Sequence, residues 1–272
     1  MPTSATHTPA AGLAFDALAG EYDEKFTTSL IGRAQRDVVW EVLDRTFSSG
    51  DKILELNCGT GEDALHLARH GVSVLGCDAS ARMLDVARCK FAVEQFRGSV
   101  SFHQLASEHI NEISYRAPFD GAFSNFAGLN CVEDLGHVSD ELAGLIRPGG
   151  YMLLCLCSRA CLSEILYFGF RLKWKEALRR CRGHARIQVR GVQVAVQYPT
   201  LRQLKRIFSP WFALREVRAV GLAIPPSYLE SWVSRHENLF RALVRIDRLL
   251  RSLPEFRVLG DHVLLTFQRC DV

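Results

Sequence analysis

No uninterrupted apolar stretch of the 272-residue chain reaches the ~18 residues that a membrane-spanning helix needs. The opening MPTSATHTPAAG has neither a basic start nor an apolar run of the kind that marks a secretory leader. Charge of one sign is scarce too. The 33 Lys and Arg stand against 30 Asp and Glu, a net +3, so composition gives no warrant for a nucleic-acid binder and any basic partner surface must be local. Internal repeats and low-complexity linkers are absent. The nine cysteines form no CxxC pair with metal-ligand spacing, and no metal site is expected. Cys155, Cys157 and Cys161 cluster in CLCSRAC, but Cys155 and Cys157 would share one face of a strand as buried thiols. An odd number of free thiols favours a reducing, cytoplasmic setting.

What the chain does have is 48% apolar residues, ample for the core of one large domain with insertions. From residue 33 to about 157, short apolar runs alternate with helical patterns, the signature of a parallel sheet with crossover helices. Helical patterns at 33–46, 62–70, 80–96 and 133–146 separate strand patterns at 52–56, 72–77, 100–105, 119–124 and 151–157; Pro148 and the glycines of RPGG break the last helix. Beyond Cys157 the alternation stops. Residues 161–181 read as one helix, ARIQVRGVQVAVQYP as two strands turning near Arg190 and Gly191, TLRQLKRIF as a helix, FALREVRAV as a strand, 226–252 as helical, and HVLLTFQ as a final strand. The expected organisation is an N-terminal cap and first helix at 1–48 and a core at 49–157, with insertions at 158–199 and 225–259; 200–224 and 260–272 complete the sheet.

One stretch carries chemistry. ILELNCGTGEDA, residues 53–64, is an apolar strand running into a glycine turn and then a helix, which sets backbone N–H groups and a helix N-terminus beside a ligand. GTGEDA satisfies the dinucleotide pattern GxGxxA, and Asp78, at the end of the next strand, is placed to take ribose hydroxyls. Glu55 discriminates between cofactors. A carboxylate two residues before the turn would repel a pyrophosphate and attract an ammonium or sulfonium, by about 4 kcal/mol before desolvation at ~4 Å and an effective dielectric near 20. S-adenosylmethionine carries those charges; NAD does not, and an NAD-linked oxidoreductase is the disfavoured alternative.

ELNCGTG followed by GCDAS resembles the first two motifs of class I S-adenosylmethionine-dependent methyltransferases, particularly the small-molecule group that includes ubiquinone-pathway enzymes, with the match running from about 50 to 157 and FDALAGEYDEKF similar to that group's N-terminal cap. The resemblance implies a Rossmann-like, doubly wound α/β fold: a mainly parallel seven-stranded sheet whose last strand is antiparallel, here with helical and hairpin lid insertions. It implies that Glu55 holds the methionine ammonium through water or neighbouring backbone, that Gly59 and Gly61 let the chain approach the methionine, and that Asp78, beside Ala79, accepts both ribose hydroxyls. Met83 would press on the adenine. Ala106 stands where the family has an acid, with Ser107 or Glu108 as substitutes, and Asn57 replaces a usual glycine, a site where asparagine tolerates positive φ.

Methyl transfer from a sulfonium is an in-line displacement that depends chiefly on holding the acceptor about 3–3.5 Å from the methyl. Candidate catalytic residues are Asn125, after the fourth strand; Tyr22, covering the sulfonium from the cap with Phe15 and Phe26 beside it; and His262, at the ligand-side start of the antiparallel last strand, near Asp261. Strand alternation makes a direct Asp261–His262 contact doubtful. His66, His70, His103, His109 and His137 read as surface or structural. Residues 161–186 join an apolar half to Arg171, Lys173, Lys175, Arg179, Arg180, Arg182 and Arg186, a lid that would clamp an anionic substrate, touch a membrane surface or be a solvated face, with Glu164 a further acid or a partner for these arginines. The expected partner is a small organic molecule, anionic or partly apolar, with no nucleic acid and no stable membrane insertion; the sequence leaves the oligomeric state open. A non-catalytic binder of the cofactor or its demethylated product is a third reading, and RNA methylation is disfavoured.

Overall fold

The computed structural model describes residues 8–271. Its strands are β1 (Lys52–Leu56), β2 (Ser73–Asp78), β3 (Val100–Gln104), β4 (Phe119–Ser124), β5 (Ile146–Cys157), β6 (His184–Val189), β7 (Val192–Gln197), β8 (Phe212–Val220) and β9 (His262–Arg269). Seven of them form one sheet in the order β3-β2-β1-β4-β5-β9-β8, and β6-β7 is a separate hairpin. The first five pair in parallel and β9 runs antiparallel to both β5 and β8, as the expected seven-stranded fold requires. The hairpin turns at Arg190 and Gly191, both at positive φ.

Central strands are buried on both faces, so they read as continuous apolar runs. Leu54 and Leu56 of β1 join a core with the helices Leu135–Leu145 and Leu201–Phe208; Ile53, one residue out of phase, joins a second core with Val38, Val39, Val42 and Leu43 of the helix Leu30–Thr46 and Ala64 and Leu67 of the helix Glu62–Arg69. Glu55 shares the face of Ile53, which sends its carboxylate toward those two helices.

The insertions are more broken than the periodicity predicts. The single helix expected over 161–181 is a helix Leu162–Gly169, a short helix Trp174–Ala177 and a 3₁₀ turn Arg179–Arg182, with Leu172 at φ 57° between the first two. Phe170, Leu172 and Trp174 are spaced by two, which gives a helix no single stripe to bury. The stretch 226–252 likewise divides into Ser227–Leu229, Glu230–Val233 and Glu237–Leu250. Its helices face two ways. Tyr228 meets Tyr167 and Phe168, but Val233 and Phe240 join Ile31 and Ile224 against the helix Leu30–Thr46. Glu230 also caps that helix, accepting the backbone N–H groups of Leu30 (2.7 Å) and Ile31 (3.0 Å).

Candidate functional site

Three residues of the turn after β1 lie in the left-handed region: Asn57 (φ 55°), Gly59 (φ 54°) and Gly61 (φ 73°). Asn57 is held there because its Oδ1 accepts from Ser107 Oγ (3.1 Å) and Ser124 Oγ (3.3 Å). Gly61 serves packing, since a Cβ on it would fall 2.9 Å from both Ala87 Cβ and Phe102 Cζ. Gly59 has open space above it. Its N–H donates to Asp78 Oδ2 at 2.8 Å, while Ser80 N–H donates to Asp78 Oδ1 at 2.8 Å. Burial raises the pKa of Asp78 and these two donors oppose the rise. Each carboxylate oxygen has two lone-pair directions, so both retain an acceptor site.

Asp78 opens onto a cavity of about 460 Å³, within the usual range for small-molecule sites. Tyr22, Asn57, Gly59, Asp78, Ala79, Met83, Ala106, Ser107 and Asn125 all line it, so the topology brings most of the expected residues together. Its roof comes from the N-terminal cap, through Ala11, Gly12 and Phe15, and from Val194 and Ala195 of β7. Three hydrogen bonds and one ion pair fix the cap: Asp16 accepts from Ser80 Oγ (2.6 Å) and the Arg82 backbone N–H (3.1 Å), and Asp23 accepts from Thr60 Oγ and pairs with Lys90 Nζ, each at 2.7 Å. Burial pushes the Tyr22 phenol up to about 12, so it stays protonated, and its ring joins a chain of contacts from Phe15 through Phe26 to Phe126.

Glu55, Gly61 and His262 lie outside this lining. Glu55 is 1% exposed, with Oε2 unpartnered beneath the turn. Burial, then repulsion from Asp63, raises its pKa well above the ordinary 4.5. Its charge therefore discriminates less in the free protein than the sequence alone implies. His262 is 8% exposed, packs edge-on against Phe126 (5.5 Å) and stands 3.6 Å from Asp261, too far for a hydrogen bond, with Nδ1 unpartnered. Burial lowers its pKa. Asn125 uses its amide inward, donating to Asp63 Oδ2 (2.9 Å) and accepting from Phe126 N–H (2.9 Å).

The basic residues of 171–186 also lie outside the lining, whose charged members among the described residues are Asp78, Glu108, Glu133 and Asp134. Such a cavity disfavours the anionic substrate considered above. Glu164 is buried between Arg179 and Arg180, and Arg180 reaches on to Asp261 at 2.7 Å, so Glu164 is a partner for the arginines.

Sequence reasoning missed the floor. Arg36, buried in the helix Leu30–Thr46, bridges Asp63 at 2.7 Å and lies over the Phe126 ring at 4.8 Å; Trp40 donates to Asp63 at 2.7 Å. Burial works against both charges, and their attraction and hydrogen bonds outweigh it: Asp63 is held below, and Arg36 above, its ordinary value. The available signal was Asp63 itself, an acid inside a glycine-turn helix that must find a cation if buried.

Glu55→Gln is expected to stabilise the free protein. A carboxyl whose pKa is raised on folding contributes stability that is complete below its unfolded value, near 4.5, and is lost as pH rises through the folded value. The variant's gain should thus grow from acid to neutral pH, reaching about 1 kcal/mol, or about 2–4 °C in Tm for a chain of this size. A melting series in which Glu55→Gln gains nothing at neutral pH would overturn this account.

Residues 53–150 match the family described as methyltransferase domain. A demethylmenaquinone methyltransferase of Symbiobacterium thermophilum is 30% identical over 171 residues, 60% of this chain and 65% of the relative. The methyltransferase GfsG of Streptomyces halstedii is 31% identical over 130 residues, 45% of this chain and 43% of its own length. The chain thus spans less than two thirds of these curated relatives. Among solved structures, the DhpI–SAH complex superimposes with a TM-score of 0.60 at 15% identity, covering 99% of this chain and all of the other, a likeness of fold. The glycine turn, Asp78 and Asn125 all fall inside the segment, residues 53–150, that matches the methyltransferase-domain family, and the seven-stranded sheet shares the fold of that solved structure.

Proposed function

We propose that the chain is a small-molecule methyltransferase that uses S-adenosylmethionine. The observation that carries the reading is Asp78, which ends β2 in the cavity with its carboxylate oriented by Gly59 and Ser80 and two acceptor sites free for a ribose diol. Three further features fit the cofactor: the open space over Gly59, the orphaned Glu55 Oε2 below the turn, and a lining whose charges, among the described residues, are all acidic. When bound, the cofactor supplies a methyl group activated on sulfur. Asp78 and Ala79 would hold the ribose, Met83, Ala106 and Ser107 would border the adenine, and Glu55 would face the ammonium through the turn. Gly59 would lie against the methionine.

The chain's own contribution is placement and dryness. Tyr22, a neutral phenol, and Phe126 enclose the region between the cap and β4, while Asn125 is fixed by Asp63 and orders the loop. His262 would support the Phe126 ring, and with no His, Lys or Arg among the described residues of the lining the acceptor is best an uncharged or cationic, partly apolar molecule at oxygen, nitrogen or carbon. The free state of all nine cysteines, with burial pushing up the thiols of Cys58, Cys77, Cys131, Cys155, Cys157 and Cys161, suits the cytoplasmic setting read from the sequence. No helix among the described residues is long and apolar enough to cross a membrane.

Calorimetric titration with S-adenosylmethionine, S-adenosylhomocysteine and NAD tests the cofactor. Micromolar affinity for the first two and none for NAD is expected; the reverse would revive the oxidoreductase. Incubation with labelled S-adenosylmethionine and a metabolite extract should then yield a methylated product by mass. Tight binding without turnover would favour the non-catalytic reading.

A further inference from the structure

We infer that the two insertions form a docking face for an anionic lipid bilayer, with the loop around residues 170–174 entering its interfacial layer. The inference rests on a surface that shares no described residue with the cavity lining, and it stands independently of the reaction. Phe170 is 86% exposed, Leu172 77% and Trp174 57%. Folded chains seldom present three large apolar side chains together to water without a partner for them. They alternate with Arg171, Lys173 and Lys175, all exposed. Leu172 at φ 57° interrupts the helix there, so both sets project from an irregular tip. Beside the tip, Tyr167, Phe170, Arg171, Leu229, Trp232 and Leu243 line a groove of about 510 Å³ between the two insertions, apolar enough to take an acyl chain.

Charge selects the occupant. Residues 164–186 hold seven Lys and Arg against two acids, a local +5 in a chain of net +3, so the remainder is −2. A second copy would bring the same +5 to the same face and be repelled. An anionic leaflet is complementary: it attracts the cations, roughly fivefold in affinity for each that reaches the surface, while the aromatic and aliphatic side chains settle at headgroup depth. A nucleic acid would satisfy the cations but leaves Leu172 and the apolar groove without a partner.

The test is co-sedimentation with vesicles of phosphatidylcholine alone and of phosphatidylcholine mixed with phosphatidylglycerol. Binding to the mixed vesicles only, weakened by salt, is expected. The triple variant F170S/L172S/W174S and the charge variant K173E/K175E should each lose at least tenfold, with melting temperature and S-adenosylmethionine affinity unchanged. These readouts separate failure of docking from failure of the fold or of the proposed activity. Unaltered vesicle binding by either variant, or no binding to anionic vesicles, would overturn the inference. Oligonucleotide binding lost in K173E/K175E without vesicle binding would reassign the face to nucleic acid.

Discussion

Asp78→Ala should weaken S-adenosylmethionine binding by a hundredfold or more while leaving the chain folded. Two hydrogen bonds from hydroxyls to a carboxylate are lost, each worth about 1.5–3 kcal/mol, and every 1.4 kcal/mol or so is a tenfold change. The carboxylate also fixes the turn, because Gly59 N–H and Ser80 N–H both donate to it. Asp78→Asn separates the two roles: it keeps an acceptor for one donor and loses the charge, so its affinity should lie between those of Asp78→Ala and the unaltered protein. Because the folded pKa of Asp78 is raised by burial, ionisation and binding are linked. Affinity should therefore fall as the solution is acidified and the carboxyl gains its proton. Calorimetry on both variants decides the matter; near-native affinity in Asp78→Ala would remove the main support for the assignment.

Arg36→Met should be the most destabilising change in the floor of the site. Removing one partner of a buried ion pair leaves the other charge uncompensated, at about 3–5 kcal/mol, and Asp63 would be left beside the already crowded Glu55. A fall in Tm of about 10 °C or more is expected. Met preserves most of the contact with Phe126, so the loss reports charge rather than volume. The double variant R36M/D63N should recover much of the stability, since it removes both ions. A single variant that melts within a degree or two of the unaltered protein would show that water already reaches Asp63.

The core was legible because its information is local. Alternation of short apolar runs with amphipathic helices places β1 to β5 to within a residue or two, apart from the early start of β5, and β4 and β8 fall on FDGAFS and FALREVRAV. The residue type at 57 was legible for the same reason: asparagine at φ 55° answers a constraint set by one turn. The floor was not, because Arg36, Asp63 and Asn125 come from three distant segments and meet only once the sheet exists. The insertions failed differently. Phe170, Leu172 and Trp174, spaced by two, fit no helical stripe and have no core to face, so the helical rhythm on either side of them did not sustain one helix. His262 illustrates a third limit. Topology puts it at the cavity end of the sheet, opposite Cys157, yet Phe126 covers it, and only packing decides which ring meets the cavity.

The placement of β9 bears on how the molecule is made. This strand follows every other described strand yet lies between β5 and β8, with neighbours on both sides. During synthesis, five parallel strands can assemble while the rim of β5 stays bare and β8 waits without a mate. Until residues 262–269 leave the ribosome, that bare rim is an open template for stray pairing with other nascent chains. Its arrival closes the gap, joining the two parts of the sheet and ending the period of exposure.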